Sequence, residues 1–339
     1  MIWNRKSSGS APKSKTKACE RMKVRSFGHA LPARQITNDE LSAFLDTSDE
    51  WIRSHTGIES RHILSDGETT SALGARAAQM ALDRAGLTAA DLDYILCPTT
   101  CGEMIFPATG CLIQQKLGAT CPAMDVNAGC TGFLYALDLA DAMLARGRVK
   151  HVLIVAAEQI TRLADWTDRS TCVLFGDAAG AVVCEAGEGF KAIRLTARGT
   201  SDPLYGMMDG GNCPFTEPKA RAVPLQMNGQ EIFKFAVTQS CEDIRAVLQQ
   251  GGVDADAVDH FVLHQANRRI IDTAQARLKQ PAKKFPVNIT THGNTGSAGI
   301  PVLLSEMAED GRLQTGQTLV LSAFGAGLTS GAALLQYNL

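Results

Sequence analysis

The chain is poor in the features that would place it in several large classes. Its 339 residues carry 33 Lys+Arg against 35 Asp+Glu, so no excess of one sign marks a nucleic-acid-binding footprint. Aromatic residues make up 6%, with three Trp and four Tyr. The ten cysteines (19, 97, 101, 111, 121, 130, 172, 184, 213 and 241) show no CxxC pairing and none of the density of a small secreted scaffold. They read as reduced thiols packed as small apolar residues, which points to the cytoplasm. Zinc spacing is missing, and neither GxGxxG nor GxxxxGK[ST] opens a helix, so no metal and no bound cofactor is expected. The longest weakly polar run, Leu319 to Gln336, is broken by glycine, serine and threonine. It reads as strand-turn-strand rather than as a membrane span.

What is present is an α/β chain long enough for a large core, at 45% hydrophobic content. Residues 1–21 stand apart, with six Lys/Arg, one Glu and no apolar stretch of the kind a secretory signal needs. They read as a disordered basic extension. Without them the charge is about −7, which again speaks against nucleic acid.

From Met22 onward the chain repeats itself. "ALDRAGLTAADLDYILCPTT" (81–100) matches "VLQQGGVDADAVDHFVLHQA" (247–266), and "GCTGFLYALDLADAML" (129–144) matches "GSAGIPVLLSEMAEDG" (296–311). "VLIVAA" (152–157) matches "LVLSAF" (319–324). The offset of 166–167 residues implies two superposable βαβ-rich halves, 22–190 and 191–339, packed on one another, and excludes a solenoid of short period.

Three residues break the repeat while the scaffold around them persists: Cys130 opposite Ser297, His264 opposite Pro98, and Asn294 before the second copy's helix. Departures of this kind suggest function grafted on a duplicated frame. A lone cysteine usually packs as a small hydrophobe. At the start of a helix, however, the partial positive charge and free N–H groups favour thiolate, and Gly129 and Gly132 permit close approach. His264 ends a predicted strand, where α/β sheets place ligands. Asn294 alone reads equally well as a turn residue, and His292 as bystander structure.

A Cys, a His and an Asn fit thiol acyl transfer with His as base, or acyl transfer in which His and Asn donate hydrogen bonds to a carbonyl. No acidic residue joins the set, which favours the neutral donor pair holding an enolate oxygen. "AFGAGLTSG" (323–331) offers a turn whose amides, Ala326 among them, would form an oxyanion hole with the amide of Cys130. A thiol hydrolase and a catalytically silent interaction protein remain as the distant alternatives.

With "NAGCTGF", "LHQANRRII" and "HGNTGSAGIP" in that order, the chain resembles the β-ketoacyl-acyl carrier protein synthase III family, condensing enzymes of the thiolase fold. "DTSDEWIRSHTGI", "WTDRSTCVLFGDAAGA", "GQEIFKFAV" and "LSAFGAGLTSGAAL" extend the likeness over residues 22–339. The resemblance implies a layered αβαβα structure, a homodimer, and condensation of an acyl-CoA primer with malonyl-acyl carrier protein to begin fatty-acid synthesis. A relative of specialised metabolism on the same fold is the near alternative. It implies that Cys130 carries the acyl group and that His264 and Asn294 stabilise the enolate. Trp51, His55 and Arg169 fall at the CoA adenine end, Asn267 and Phe233 along the pantetheine channel, and Phe324 beside the oxyanion turn. Phe106 matches a residue closing the acyl pocket across the dimer. Lys234, Gln265, Arg268, Arg269 and Arg277 fall where the family docks acidic carrier protein. His55 stands where Arg usually contacts CoA, which removes a fixed charge from that site.

Overall fold

The computed structural model describes residues 21–200, 202–208 and 222–338. The expected basic extension, apart from Arg21, lies outside the described residues. Two sheets form the frame. One runs in the order Met22–Ala30, Asp177–Ala186, His151–Gln159, Tyr94–Pro98, Ala123–Val126. The other runs Phe190–Ala197, Thr329–Gln336, Thr318–Gly325, His260–Leu263, read from the matching edge. In each, two antiparallel pairings are followed by a parallel one, so the repeat seen in the residues is a repeat of topology. The second sheet stops one strand short: 285–288 makes no ladder where the first copy has Ala123–Val126.

Apolar residues on both faces of each strand decide the layering. In "HVLIVAAEQ" (151–159), Val152 and Ile154 point to one side and Leu153 and Val155 to the other, and all are fully buried. Val152 and Ile154 join a central core with Phe133, Leu137, Leu303 and Leu321, contributed by two helices and the second sheet. The helices Gly132–Ala145 and Gly299–Glu309 are therefore the middle layer. Leu153 and Val155 pack outward on Leu73, Ala77 and Leu82 of the helix Thr70–Ala85. The helix Gly229–Gly251 covers the far face of the second sheet through Ile244, Val247 and Leu248. Five layers result, αβαβα. Burying each such leucine or isoleucine contributes roughly 1.5–3 kcal/mol.

The outer helix Thr70–Ala85 is bounded by local chemistry. Thr69 accepts a hydrogen bond from the Ala72 N–H at its start, and Gly86 takes the left-handed conformation at its end. It sits close because Gly28 has no side chain: a Cβ there would lie 2.2 Å from the Ala77 carbonyl oxygen. Residues 318–336 form the expected strand-turn-strand, and among the described residues no helix is long and apolar enough to cross a membrane.

Candidate active site

The two central helices begin next to each other at the seam between the sheets, and the site is built there. Cys130 follows Gly129, whose φ of +56° is open to glycine at little cost, and precedes the helix that starts at Gly132. His264 comes directly after the strand His260–Leu263, its N–H bonded to the Ser322 carbonyl at 2.8 Å. Asn294 pairs through its backbone with Leu174 and Gly176. All three side chains line one cavity of about 690 Å³.

Each donor is oriented by what surrounds it. The Asn294 Oδ1 accepts from the Gly296 N–H at 3.0 Å, which leaves the Nδ2 amide hydrogens for the cavity. The His264 ring meets Phe324 edge-on at 5.3 Å, and burial lowers its pKa to about 4, so the imidazole is neutral near pH 7. The turn after Gly325 approaches the cysteine corner closely. A Cβ at Gly129 would lie 2.9 Å from the Ala326 nitrogen, and one at Gly325 would lie 2.6 Å from the Cys130 nitrogen. The Thr131 and Thr329 hydroxyls, 3.0 Å apart, tie the same two segments. The Cys130 and Ala326 amides donate to no main-chain carbonyl among the described residues, as an oxyanion hole requires.

The surroundings of the thiol oppose the field of the helix it precedes. Cys130 lies outside the helix, whose N-cap is Thr131, and burial pushes its pKa up to about 12, with the Glu158 charge adding to the rise. A helix terminus contributes at most ~2 kcal/mol, or about 1.5 pH units, and burial outweighs it here. The balance of these effects favours the protonated thiol. An acidic residue does stand behind the site: Glu158, fully buried, accepts from the Ser297 Oγ at 2.6 Å, the Thr100 Oγ1 at 2.8 Å and the Thr100 N–H at 2.9 Å. Desolvation raises its pKa, and these hydrogen bonds work against the rise.

Phe233, Asn267 and Phe324 line the cavity. Trp51, His55 and Arg169 do not; they cluster outside its wall, with the Trp51 ring 4.4 Å from His55 and 5.1 Å from the Arg169 guanidinium. Asn267 links the two groups, its Nδ2 donating to the His55 carbonyl at 3.1 Å. Phe106 is 81% exposed and does not line this cavity. Lys234, Arg269 and Arg277 are exposed, and Arg268 is half-buried in an ion pair with Asp272. Gln265 is no docking residue: it is fully buried, its amide consumed by the Leu263 carbonyl and by the N–H groups of Asn288 and Ile289. Residue patterns did not reveal the apolar wall of Leu163, Leu174, Phe175, Leu204, Leu225 and Met227, which comes from the 163–175 segment and the paired strands Leu204–Met208 and Ala222–Met227.

A half-buried cysteine sharing one cavity with an imidazole and a carboxamide at the seam of a duplicated αβαβα fold defines a thiolase-fold condensing enzyme, an acyl-transferring catalyst. The family model of 3-oxoacyl-[acyl-carrier-protein (ACP)] synthase III matches residues 124–201, and the model of its C-terminal part matches 248–337. The β-ketoacyl-[acyl-carrier-protein] synthase III of Xanthomonas campestris pv. campestris is 46% identical over 318 residues, 93% of this chain and 98% of that protein. The crystal structure of 3-oxoacyl-[acyl-carrier-protein] synthase III from Aquifex aeolicus VF5 is 40% identical, with a TM-score of 0.86 over 93% of this chain and all of that one. The priming β-ketosynthase of the R1128 polyketide pathway is 32% identical, with a TM-score of 0.88 over 96% of this chain and 99% of that one. The chain belongs to the β-ketoacyl-acyl carrier protein synthase III family.

Proposed function

We propose that Cys130, His264 and Asn294 catalyse a two-step condensation of a short acyl-CoA with malonyl-acyl carrier protein, the reaction that initiates fatty-acid synthesis. In the first step the Cys130 sulfur attacks the acyl-CoA carbonyl, a thioester forms, and the thiol proton leaves with the CoA sulfur. The amides of Cys130 and Ala326 hold the tetrahedral oxyanion. In the second step the malonyl group loses CO2, and the enolate oxygen takes hydrogen bonds from the neutral His264 imidazole and the Asn294 amide. The carbanion attacks the acyl-cysteine carbonyl, and 3-oxoacyl-acyl carrier protein departs. The Cys130 thiolate then takes a proton from water.

The observation that carries this reading is the convergence of the three side chains on one cavity, where the amides of Cys130 itself and of Ala326 on the facing turn donate to no main-chain carbonyl among the described residues. The condensation step needs no general base, because loss of CO2 makes its nucleophile. Trp51 and Arg169 suit an adenine, Asn267 and Phe233 a pantetheine arm. Lys234, Arg269 and Arg277 on neighbouring helices suit an acidic carrier protein. The exposed run Met104, Ile105 and Phe106 supports a homodimer, with Phe106 reaching a partner's pocket. Eight unpaired cysteines among the described residues suit a reducing cytoplasm.

The test separates the half-reactions. Cys130→Ala loses acyl transfer from labelled acetyl-CoA, while His264→Ala and Asn294→Ala still acylate Cys130 but fail to decarboxylate malonyl-acyl carrier protein. Full turnover by Cys130→Ala rejects the scheme. The likeness to a polyketide priming enzyme favours one second reading, the same chemistry on a different primer, and mass spectrometry of Cys130 after a panel of acyl-CoAs decides between them.

A further inference from the structure

Behind the two enolate donors, and apart from the residues that line the cavity, lies a connected set of buried and half-buried polar side chains that the condensation scheme leaves unused. The His292 Nε2 meets the Glu306 Oε1 at 2.5 Å. The other carboxylate oxygen of Glu306 accepts from the Asn288 Nδ2 at 2.8 Å. The main-chain N–H groups of Asn288 and Ile289 donate to the Gln265 Oε1 at 3.1 and 3.3 Å, and the Gln265 Nε2 donates to the Leu263 carbonyl at 2.7 Å. Gln265 is the neighbour of His264. His292 is two residues from Asn294, joined through Gly293, whose φ of +67° and close approach to the Leu174 carbonyl leave no room for a side chain. The bonds thus run from one donor to the other without touching the cavity.

We propose that His292, Glu306 and Gln265 are positioning residues that set the separation of His264 and Asn294, and so act on decarboxylation alone. This rests on the reading of those two residues as the enolate donors. The physical need is specific. Two N–H groups from different segments must converge on one oxygen, each within about 2.7–3.1 Å. A misplacement of about 1 Å costs on the order of 10²-fold in rate. The acylation step depends instead on Cys130 and the 325–327 turn, which this network does not contact. His292 is held through Nε2 only, its Nδ1 being buried without a partner, so the Glu306 carboxylate is the one hydrogen-bonding anchor of that ring among the described residues. Glu306 sits on the central helix Gly299–Glu309, a rigid support.

The experiment uses the full chain and compares His292→Phe, Glu306→Gln and Gln265→Met with His292→Gln. Acylation of Cys130 from acetyl-CoA and CO2 release from malonyl-acyl carrier protein are measured separately. Phe keeps the ring and removes the donor, whereas Gln keeps an N–H for Glu306. The first three variants should lose decarboxylation by about 10- to 100-fold in kcat while acylation stays within about twofold. His292→Gln should recover most of the loss. Equal losses in both half-reactions, or none in either, overturn the proposal, and so does a His292→Gln variant no better than His292→Phe. If one variant fails to fold, the others carry the test. Asn294→Ala is the control: should it decarboxylate normally, the enolate reading itself fails, whereas its loss beside unaffected clamp variants overturns the positioning role only.

Discussion

Replacing Gly325 with alanine tests the oxyanion geometry at its tightest point. Gly325 lies outside the left-handed region, so the substitution adds contact and no backbone strain. The new Cβ would sit 2.6 Å from the Cys130 nitrogen and 3.3 Å from both its Cα and Cβ. The contacts under strain are mainly backbone, with no long side chain to swing aside. Restoring an ordinary 3.4 Å contact requires the turn and the cysteine corner to part by about 0.8 Å. Donors to an oxyanion work over about 2.7–3.1 Å, so a shift of that size removes one N–H from range. Loss of one such donor costs on the order of 10²–10³ in kcat. The overpacking itself costs about 1–3 kcal/mol, or about 1–4 °C in Tm for a chain of this size. Quenched-flow acylation from labelled acetyl-CoA gives the rate, and calorimetry gives the midpoint. The KM for acetyl-CoA should change little, because Trp51 and Arg169 stand outside the cavity wall. A folded Gly325→Ala protein that acylates at the wild-type rate would refute the argument, showing the close approach to be packing alone.

The Cys130 thiol makes a second prediction. Alkylation of Cys130 by iodoacetamide should climb about tenfold per pH unit from pH 7 to 10 without levelling, because the group titrates near 12. A plateau below pH 8 would show that the helix field wins after all. Glu158→Gln, which removes the charge that adds to that rise, should speed alkylation at pH 8, and an unchanged rate would count against the electrostatic coupling. Arg169→Ala should raise the KM for acyl-CoA about two- to fivefold with kcat unchanged, the worth of an exposed cation–π contact. Lys234→Glu with Arg269→Glu should weaken malonyl-acyl carrier protein, measured as KM, more at low than at high salt. Salt-independent kinetics would place docking elsewhere.

How much could be read before the structure differs from residue to residue, for physical reasons. The duplicated frame was legible because buried strands and helices repeat their apolar spacing, and Cys130, His264 and Asn294 stood out as departures from it. The ionisation of Cys130 is not legible in the same way, because a helix start is visible in a motif while the walls that dehydrate the sulfur arrive from segments far along the chain. Glu158 was missed for a similar reason: it ends the apolar run "VLIVAAEQ", and its partners, Thr100 and Ser297, lie 58 and 139 residues away. Gln265 was assigned to the surface with its neighbours of "LHQANRRII", yet it precedes the helix Arg268–Leu278 and points into the protein, where an amide can meet three main-chain groups at once. The absent edge strand of the second sheet follows no mark in composition; 285–288 spends its N–H groups on Gln265 and a short helical turn.

The bond between Thr131 and Thr329 spans 198 residues. A ribosome therefore delivers the nucleophile long before the segment that must embrace it, and an unfinished chain holds a cysteine with nothing to stabilise an acyl intermediate. Catalytic competence therefore arrives only when the middle and last thirds of the polypeptide have met.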